Sequence, residues 1–195
     1  KKKPPLEYIV PVIEAELKEA NKFIDEIDEA LDKANVTEKY ITEGNHDNWY
    51  NMFVHEYPYL PRFAFKNAIS ASDRGYTLYP MGKFLKIGKL NFYHGHQYGG
   101  QYHAMNHLRK LGCNIMYGHW HDLQQSSITH VDGTKSAWSI GCMKDMSSTK
   151  NKWLRNRQHN WGHSFAVVDF IRGGNFTVHV VQIVNGKTSL WGQLL

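Results

Sequence analysis

Histidine, asparagine and aspartate gather in three short stretches of this 195-residue sequence: Gly44-Asn45-His46-Asp47, Tyr93-His94-Gly95-His96 and Gly118-His119-Trp120-His121. A neutral imidazole nitrogen binds a divalent cation at ~2.0–2.1 Å, and the same ring can hold or release a proton near neutral pH. Each stretch follows an apolar or β-prone run, at residues 39–42, 90–93 and 113–117. Loops that leave the carboxyl edge of a sheet can aim their side chains at one point, so the three stretches read as one metal-dependent site. His119 and His121 lie two residues apart. On a regular strand they would point the same way, whereas a turn after Gly118 spreads them toward neighbouring ions.

The elements that must position these residues can be read in chain order. Ile13, Leu17, Ala20, Ile24, Ile27 and Leu31 recur at helical spacing, predicting one long amphipathic helix over 6–34. Pro11 suits a first turn better than an interior, which favours a start near it. A short strand at 39–42 leads into Gly44, and residues 48–56 read as a helix. Pro58, Pro61 and Pro80 make 57–83 mostly loop with short helical pieces. A hairpin turns at Gly88-Lys89, and a helix over 102–111 stops at Gly112. Asp132-Gly133, Gly173-Gly174 and Asn185-Gly186 each separate strand-like runs, giving an antiparallel back half in which 188–191 is the last strand. His103 and His107, four apart on a helix, lack the Glu of a His-Glu-x-x-His pattern and read as surface residues.

Taken in this order, the three stretches resemble the calcineurin-like metallophosphoesterases, whose later motifs are Gly-Asn-His-Asp/Glu, a His commonly followed by Gly, and Gly-His-x-His. The resemblance covers roughly residues 39–195. It implies an α/β fold, a four-layer α/β/β/α sandwich of two mixed sheets, as one domain over 1–195. It also implies phosphoester hydrolysis by in-line attack of a hydroxide bridging two divalent ions such as manganese, iron or zinc. In that scheme Asn45, His94 and His119 bind one ion and His121 the other. His46 is the general acid at the leaving group, with Asp47 as the carboxylate that orients it. His96, outside that scheme, is a candidate substrate contact that either lines the cleft or backs up the site.

The family's two earlier motifs, Asp-x-His and Gly-Asp-x-x-Asp, are absent from the sequence. The expectation is therefore an N-terminally truncated chain without its first β-α-β portion, holding one ion or none, weakly active or inactive, and prone to self-association through the truncated face. The alternative is a catalytically dead phosphoesterase fold that binds protein or nucleic acid.

Composition adds bounds. No apolar run approaches the ~18 residues of a spanning helix, and no secretory signal is visible. Cys113 and Cys142 have no close partner in sequence, which points to a reducing, cytoplasmic setting. The net charge of +5 mildly favours an anionic partner. Residues 144–161 interleave Lys144, Lys150, Lys152, Arg155 and Arg157 with Trp153, His159 and Trp161. Such a mixture can grip a phosphodiester backbone and stack bases; the plain alternative is a solvated loop. Lys150, Lys152 and Arg155 are accordingly candidate substrate contacts, and a phosphodiester, nucleic acid included, is the favoured substrate class over a phosphomonoester.

Overall fold

The computed structural model describes residues 4–147, 151–154 and 159–195. Its contacts divide the chain into two compact units, one of residues up to 41 together with 45–79, the other of residues 42–44 and 80–195. Four α-helices and a five-stranded mixed sheet, with smaller two-stranded pairings, make a mixed α/β architecture among the described residues.

In the first unit, helix α1 runs Leu6–Lys33. It begins before Pro11 rather than at it, and Pro11 sits inside the helix with Pro5 as its N-cap. The half-buried face is Leu6, Ile9, Val10, Ile13, Leu17, Asn21, Ile24, Asp28 and Leu31. Asn21 and Asp28 thus take places on the stripe that sequence periodicity gave to Ala20 and Ile27. The reason is polar anchoring. Asn21 Nδ2 donates to the carbonyls of Leu17 and Ala68, both at 2.9 Å. Asp28 accepts from Arg74 Nη1 at 2.8 Å, Tyr76 Oη at 2.9 Å and Lys39 Nζ at 3.0 Å. Burial alone would raise the Asp28 pKa, but these donors outweigh it and hold the carboxyl below its ordinary value. Burial, together with the same Asp28 contact, pushes the Tyr76 phenol up to about 12.

Strand β1 is Lys39–Thr42, and it pairs with β2, Tyr76–Tyr79, a strand inside the segment that had read as loop. Helix α2 is Asn45–Glu56, three residues longer at its start than the sequence suggested, and α3 is Phe65–Ala68. Phe63, Ile69 and Ala71 form the fully buried centre of this unit.

The second unit is built on β3 (Leu85–Ile87), β4 (Leu90–Tyr93), β5 (Ile115–Tyr117), β6 (Leu123–His130) and β7 (Gly133–Ile140). Their order is β3-β4-β5-β7-β6, with β4 parallel to β5 and β5 parallel to β7. Alternate residues serve opposite faces, as the pleat requires. Tyr93, Ile115, Tyr117 and Ala137 pack with Ala104 and Leu108 of helix α4, His103–Leu111. Leu90, Met116 and Trp138 face the other way, onto Ala166, Val168, Phe176 and Val178 of the hairpin β8 (Ser164–Phe170) and β9 (Phe176–Gln182). Burying a side chain as fully as Leu90, 0% exposed, contributes ~1.5–3 kcal/mol. Gly112 ends α4 in the left-handed conformation at φ 62°.

The back half does not join into a second large sheet among the described residues. Hairpin β8–β9 stands as a two-stranded pair, and the last segment folds on itself as β10 (Ser189–Leu190) and β11 (Gln193–Leu194). Trp191 and Gly192, at φ 51° and 78°, make the turn that ends what read as a strand through Trp191. No described helix is long and apolar enough to cross a membrane.

Candidate functional site

The second unit brings two of the three stretches together by strand pairing. Tyr93 at the end of β4 is the register partner of Tyr117 at the end of the parallel strand β5. Parallel neighbours end on the same edge, so the loops carrying His94 and His119 leave side by side. The Gly118 amide donates to the His94 carbonyl at 3.2 Å, extending the ladder one step beyond the strands. The result is a close imidazole pair, with His119 Nδ1 2.9 Å from His94 Nε2 and ring centroids 4.8 Å apart.

Gly44 belongs to this unit, and the His94 ring lies directly against it. A Cβ on Gly44 would fall 2.7 Å from His94 Cε1 and 2.9 Å from its Nδ1. Glycine at this position is therefore a spatial requirement of the His94 ring. Gly95 is tighter still. Its φ of 99° suits glycine, and a Cβ would meet the Tyr117 ring at 2.5 Å.

His96 stands near the pair, its ring 5.9 Å from that of His94 and 6.2 Å from that of His119. Its Nδ1 is buried with no hydrogen-bond partner among the described residues. His121 is set differently. It takes a left-handed backbone, φ 62°, and its ring packs edge-on against Trp161 at 5.0 Å. A turn does follow Gly118, closed by the His121 amide donating to the Gly118 carbonyl at 3.2 Å.

Two nitrogens 2.9 Å apart can share one proton as a hydrogen bond. They also fit one cation, since two bonds of ~2.0–2.1 Å at right angles separate the donors by ~2.9 Å. His94 and His119 therefore suit a shared divalent ion. The larger ligand set does not close: among the described residues, no three His, Cys, Asp or Glu side chains converge as a metal-binding group.

Asn45, His46 and Asp47 lie in the first unit, on the opening turn of α2 rather than in a loop. Asp47 there suits the positive end of the helix dipole. His46 is exposed and stacks on Trp49, ring centroids 4.3 Å apart. Consecutive helical residues splay apart while residues three apart are neighbours, so helix geometry explains the Trp49 contact and disfavours a face-to-face pairing of His46 with Asp47. His46 and Trp49 line a cavity of about 430 Å³ with Ile13, Glu16, Tyr50 and Phe53.

Of the substrate contacts suggested by sequence, Lys150 and Arg155 lie outside the described residues. Lys152 is exposed in a short turn, Lys152–Leu154. Lys144 lies over the Trp161 ring at 4.9 Å and donates to Asn151 Oδ1.

Sequence reasoning placed His103 and His107 on the surface, and the structure corrects this. They are 2% and 0% exposed. The spacing of His103, Ala104, His107, Leu108 and Leu111 is the apolar face of α4, and that was the available signal. Burial pushes the His107 pKa below its ordinary value, partly offset by the bond of its Nδ1 to the His103 carbonyl at 2.7 Å. Three residues with no role assigned from sequence also belong to the site's surroundings. The indole Nε1 of Trp120 donates to the Gly95 carbonyl at 3.1 Å. Tyr117 and Asp122 both bond to His103. The chain matches no known protein-family profile, and no curated protein is significantly similar to it.

Proposed function

We propose that this chain is a metal-dependent phosphoester hydrolase of the calcineurin-like type, within a four-layer α/β/β/α fold, acting on phosphodiesters. The observation that carries the reading is the imidazole pair, His94 Nε2 and His119 Nδ1 at 2.9 Å, assembled by parallel strands at a sheet edge and packed under Gly44. His94 and His119 would hold a divalent ion; the resemblance assigns Asn45 to the same ion and His121 to a second. Bound there, the cation supplies Lewis-acid polarisation of the phosphoryl oxygens and activation of water. His46 donates the proton to the leaving oxygen, its ring kept in place by stacking on Trp49. The basic-aromatic stretch from Lys144 to Trp161 supports a polyanionic substrate.

A single imidazole makes a weak ion site, so slow turnover is expected. The test is hydrolysis of bis-p-nitrophenyl phosphate and p-nitrophenyl phosphate with added manganese, beside His119→Ala. Metal-dependent turnover of the diester, abolished in the variant, supports the reading. Turnover of the monoester alone overturns the diesterase assignment, and turnover without metal overturns the mechanism.

A second reading has one observation in its favour: no three-residue metal group closes among the described residues. It is a phosphoesterase-like module that binds protein or nucleic acid without turnover. It predicts oligonucleotide or protein binding with no hydrolysis under any metal.

A further inference from the structure

The loop Gly118–His121 is bracketed by Tyr117 and Asp122, and one imidazole touches both brackets. His103 Nδ1 lies 2.6 Å from Tyr117 Oη, and its Nε2 lies 2.9 and 3.0 Å from the two Asp122 oxygens. His103 comes from α4, not from the loop, so it closes the loop's base from outside. The same ring stacks on Trp120 in the middle of the loop, centroids 5.3 Å apart and 22° from parallel. Trp120 in turn reaches the His94 loop through its bond to Gly95. His103 therefore touches Tyr117, Trp120 and Asp122, the two ends and the middle of one short segment.

The proton positions follow from the partners. Tyr117 as a phenol has one hydrogen to donate, and Asp122 as a carboxylate has none. All groups are satisfied when Tyr117 O–H donates to a bare Nδ1 and Nε2–H donates to Asp122. The carboxylate also accepts from Gln124 Nε2 at 2.9 Å, and Ser139 Oγ shares its one hydrogen between the Asp122 carbonyl at 2.8 Å and the carboxylate at 3.0 Å. Asp122, 8% exposed, thus has its charge matched by side-chain donors from His103, Gln124 and Ser139. Both ring nitrogens of His103 are thereby committed, one to the phenol and one to the carboxylate.

We propose that His103 is a positioning residue: its imidazole, held between Tyr117 and Asp122 and stacked on Trp120, fixes the loop so that His119 faces His94. This rests on the reading of that pair as metal ligands, and it extends it by assigning the orientation of the pair to a ring outside it. Outer partners that orient a metal site commonly affect affinity by ~10–100-fold.

The experiment is cobalt(II) titration followed by visible absorption on the wild type, His103→Leu, His103→Gln and Tyr117→Phe, with far-ultraviolet circular dichroism on each. An NMR measurement on the metal-free proteins adds the His103 tautomer and the nuclear Overhauser effect between the His94 and His119 rings. The expected result is a folded His103→Leu that binds cobalt at least ~10-fold more weakly with an altered spectrum. His103→Gln, whose amide offers both an acceptor and a donor, recovers part of the affinity, and Tyr117→Phe shows a smaller weakening in the same direction. Folded His103→Leu with wild-type affinity and spectrum overturns the proposal. Should His103→Leu not fold, Tyr117→Phe decides: unchanged binding overturns it, weakened binding supports it. Should the wild type bind no cobalt, the metal reading fails and the ring-to-ring Overhauser effect decides separately. Its disappearance in Tyr117→Phe then supports the positioning role, and its persistence overturns it.

Discussion

Two pairs of histidines lie within the same small sheet-and-helix unit, and their surroundings give them opposite chemistry. His103 and His107 sit four residues apart on α4 and are almost fully excluded from solvent. His103 has both ring nitrogens bonded, and His107 gives one to a helix carbonyl. His94 and His119 are 25 residues apart, half-buried at a strand-end edge, and aim nitrogens at each other. A ring already committed to a phenol and a carboxylate cannot take a metal without losing them. A pair facing one another across a loop edge can exchange a shared proton for a shared cation. Sequence proximity is thus a poor guide to ligand chemistry, and the partner of each nitrogen is a better one.

The largest effect that sharpens this contrast is expected at the edge pair. His94→Ala or His119→Ala should lower divalent-metal affinity by ~100-fold or more, since each removes one of few donors. Calorimetric titration with zinc or manganese measures it, while stability in urea should change little. If either variant bound metal as the wild type does, the edge pair would lose its distinction from the buried one.

Gly95→Ala is expected to be the next most damaging, destabilising by ~2–4 kcal/mol, because a Cβ there overlaps the Tyr117 ring and the backbone is left-handed. At Gly44→Ala the nearest atoms a Cβ meets are all of the His94 ring, a side chain rather than backbone. The substitution should displace that imidazole and weaken metal binding with a smaller drop in urea midpoint, which separates a site glycine from a fold glycine.

The buried pair should reveal itself through pH. His107 has a folded pKa below its unfolded value near 6.5, because burial disfavours the charged ring. Below that pH the unfolded chain takes up a proton that the folded chain does not, so stability falls as pH drops from 6.5 toward the folded pKa. The slope from one such group is at most ~1.4 kcal/mol per pH unit. Urea unfolding between pH 5 and 7.5 should show it, and His107→Leu should flatten the curve; an unaltered slope would remove His107 as its source. The smallest effect is expected at His121, whose ring packs on Trp161. His121→Ala should change affinity at the edge pair by less than ~3-fold.

Much of the framework was legible because it rests on local periodicity and turn chemistry. The Gly88-Lys89 hairpin and the Gly112 stop fall where the residues indicated, and the hairpin placed at Asp132-Gly133 forms with its turn one residue earlier, at Val131-Asp132. So did the convergence of His94 with His119, since apolar runs before each implied strands ending on one edge. What was missed depends on distant partners. Asp28 reads as a solvent residue until Arg74, Lys39 and Tyr76 arrive from elsewhere in the first unit. His103 and His107 look like surface residues unless a carboxylate and a phenol are known to meet one of them. Trp191 carries no sign of its positive φ beyond the glycine that follows. The helical start at Asn45 was hidden because Gly-Asn-His-Asp also resembles a turn.

The most direct measurement is anomalous diffraction at the zinc edge from crystals grown with zinc. One peak is expected ~2.0–2.1 Å from both His94 Nε2 and His119 Nδ1. Those two nitrogens still hydrogen-bonded to each other, with zinc bound elsewhere or not at all, would contradict it.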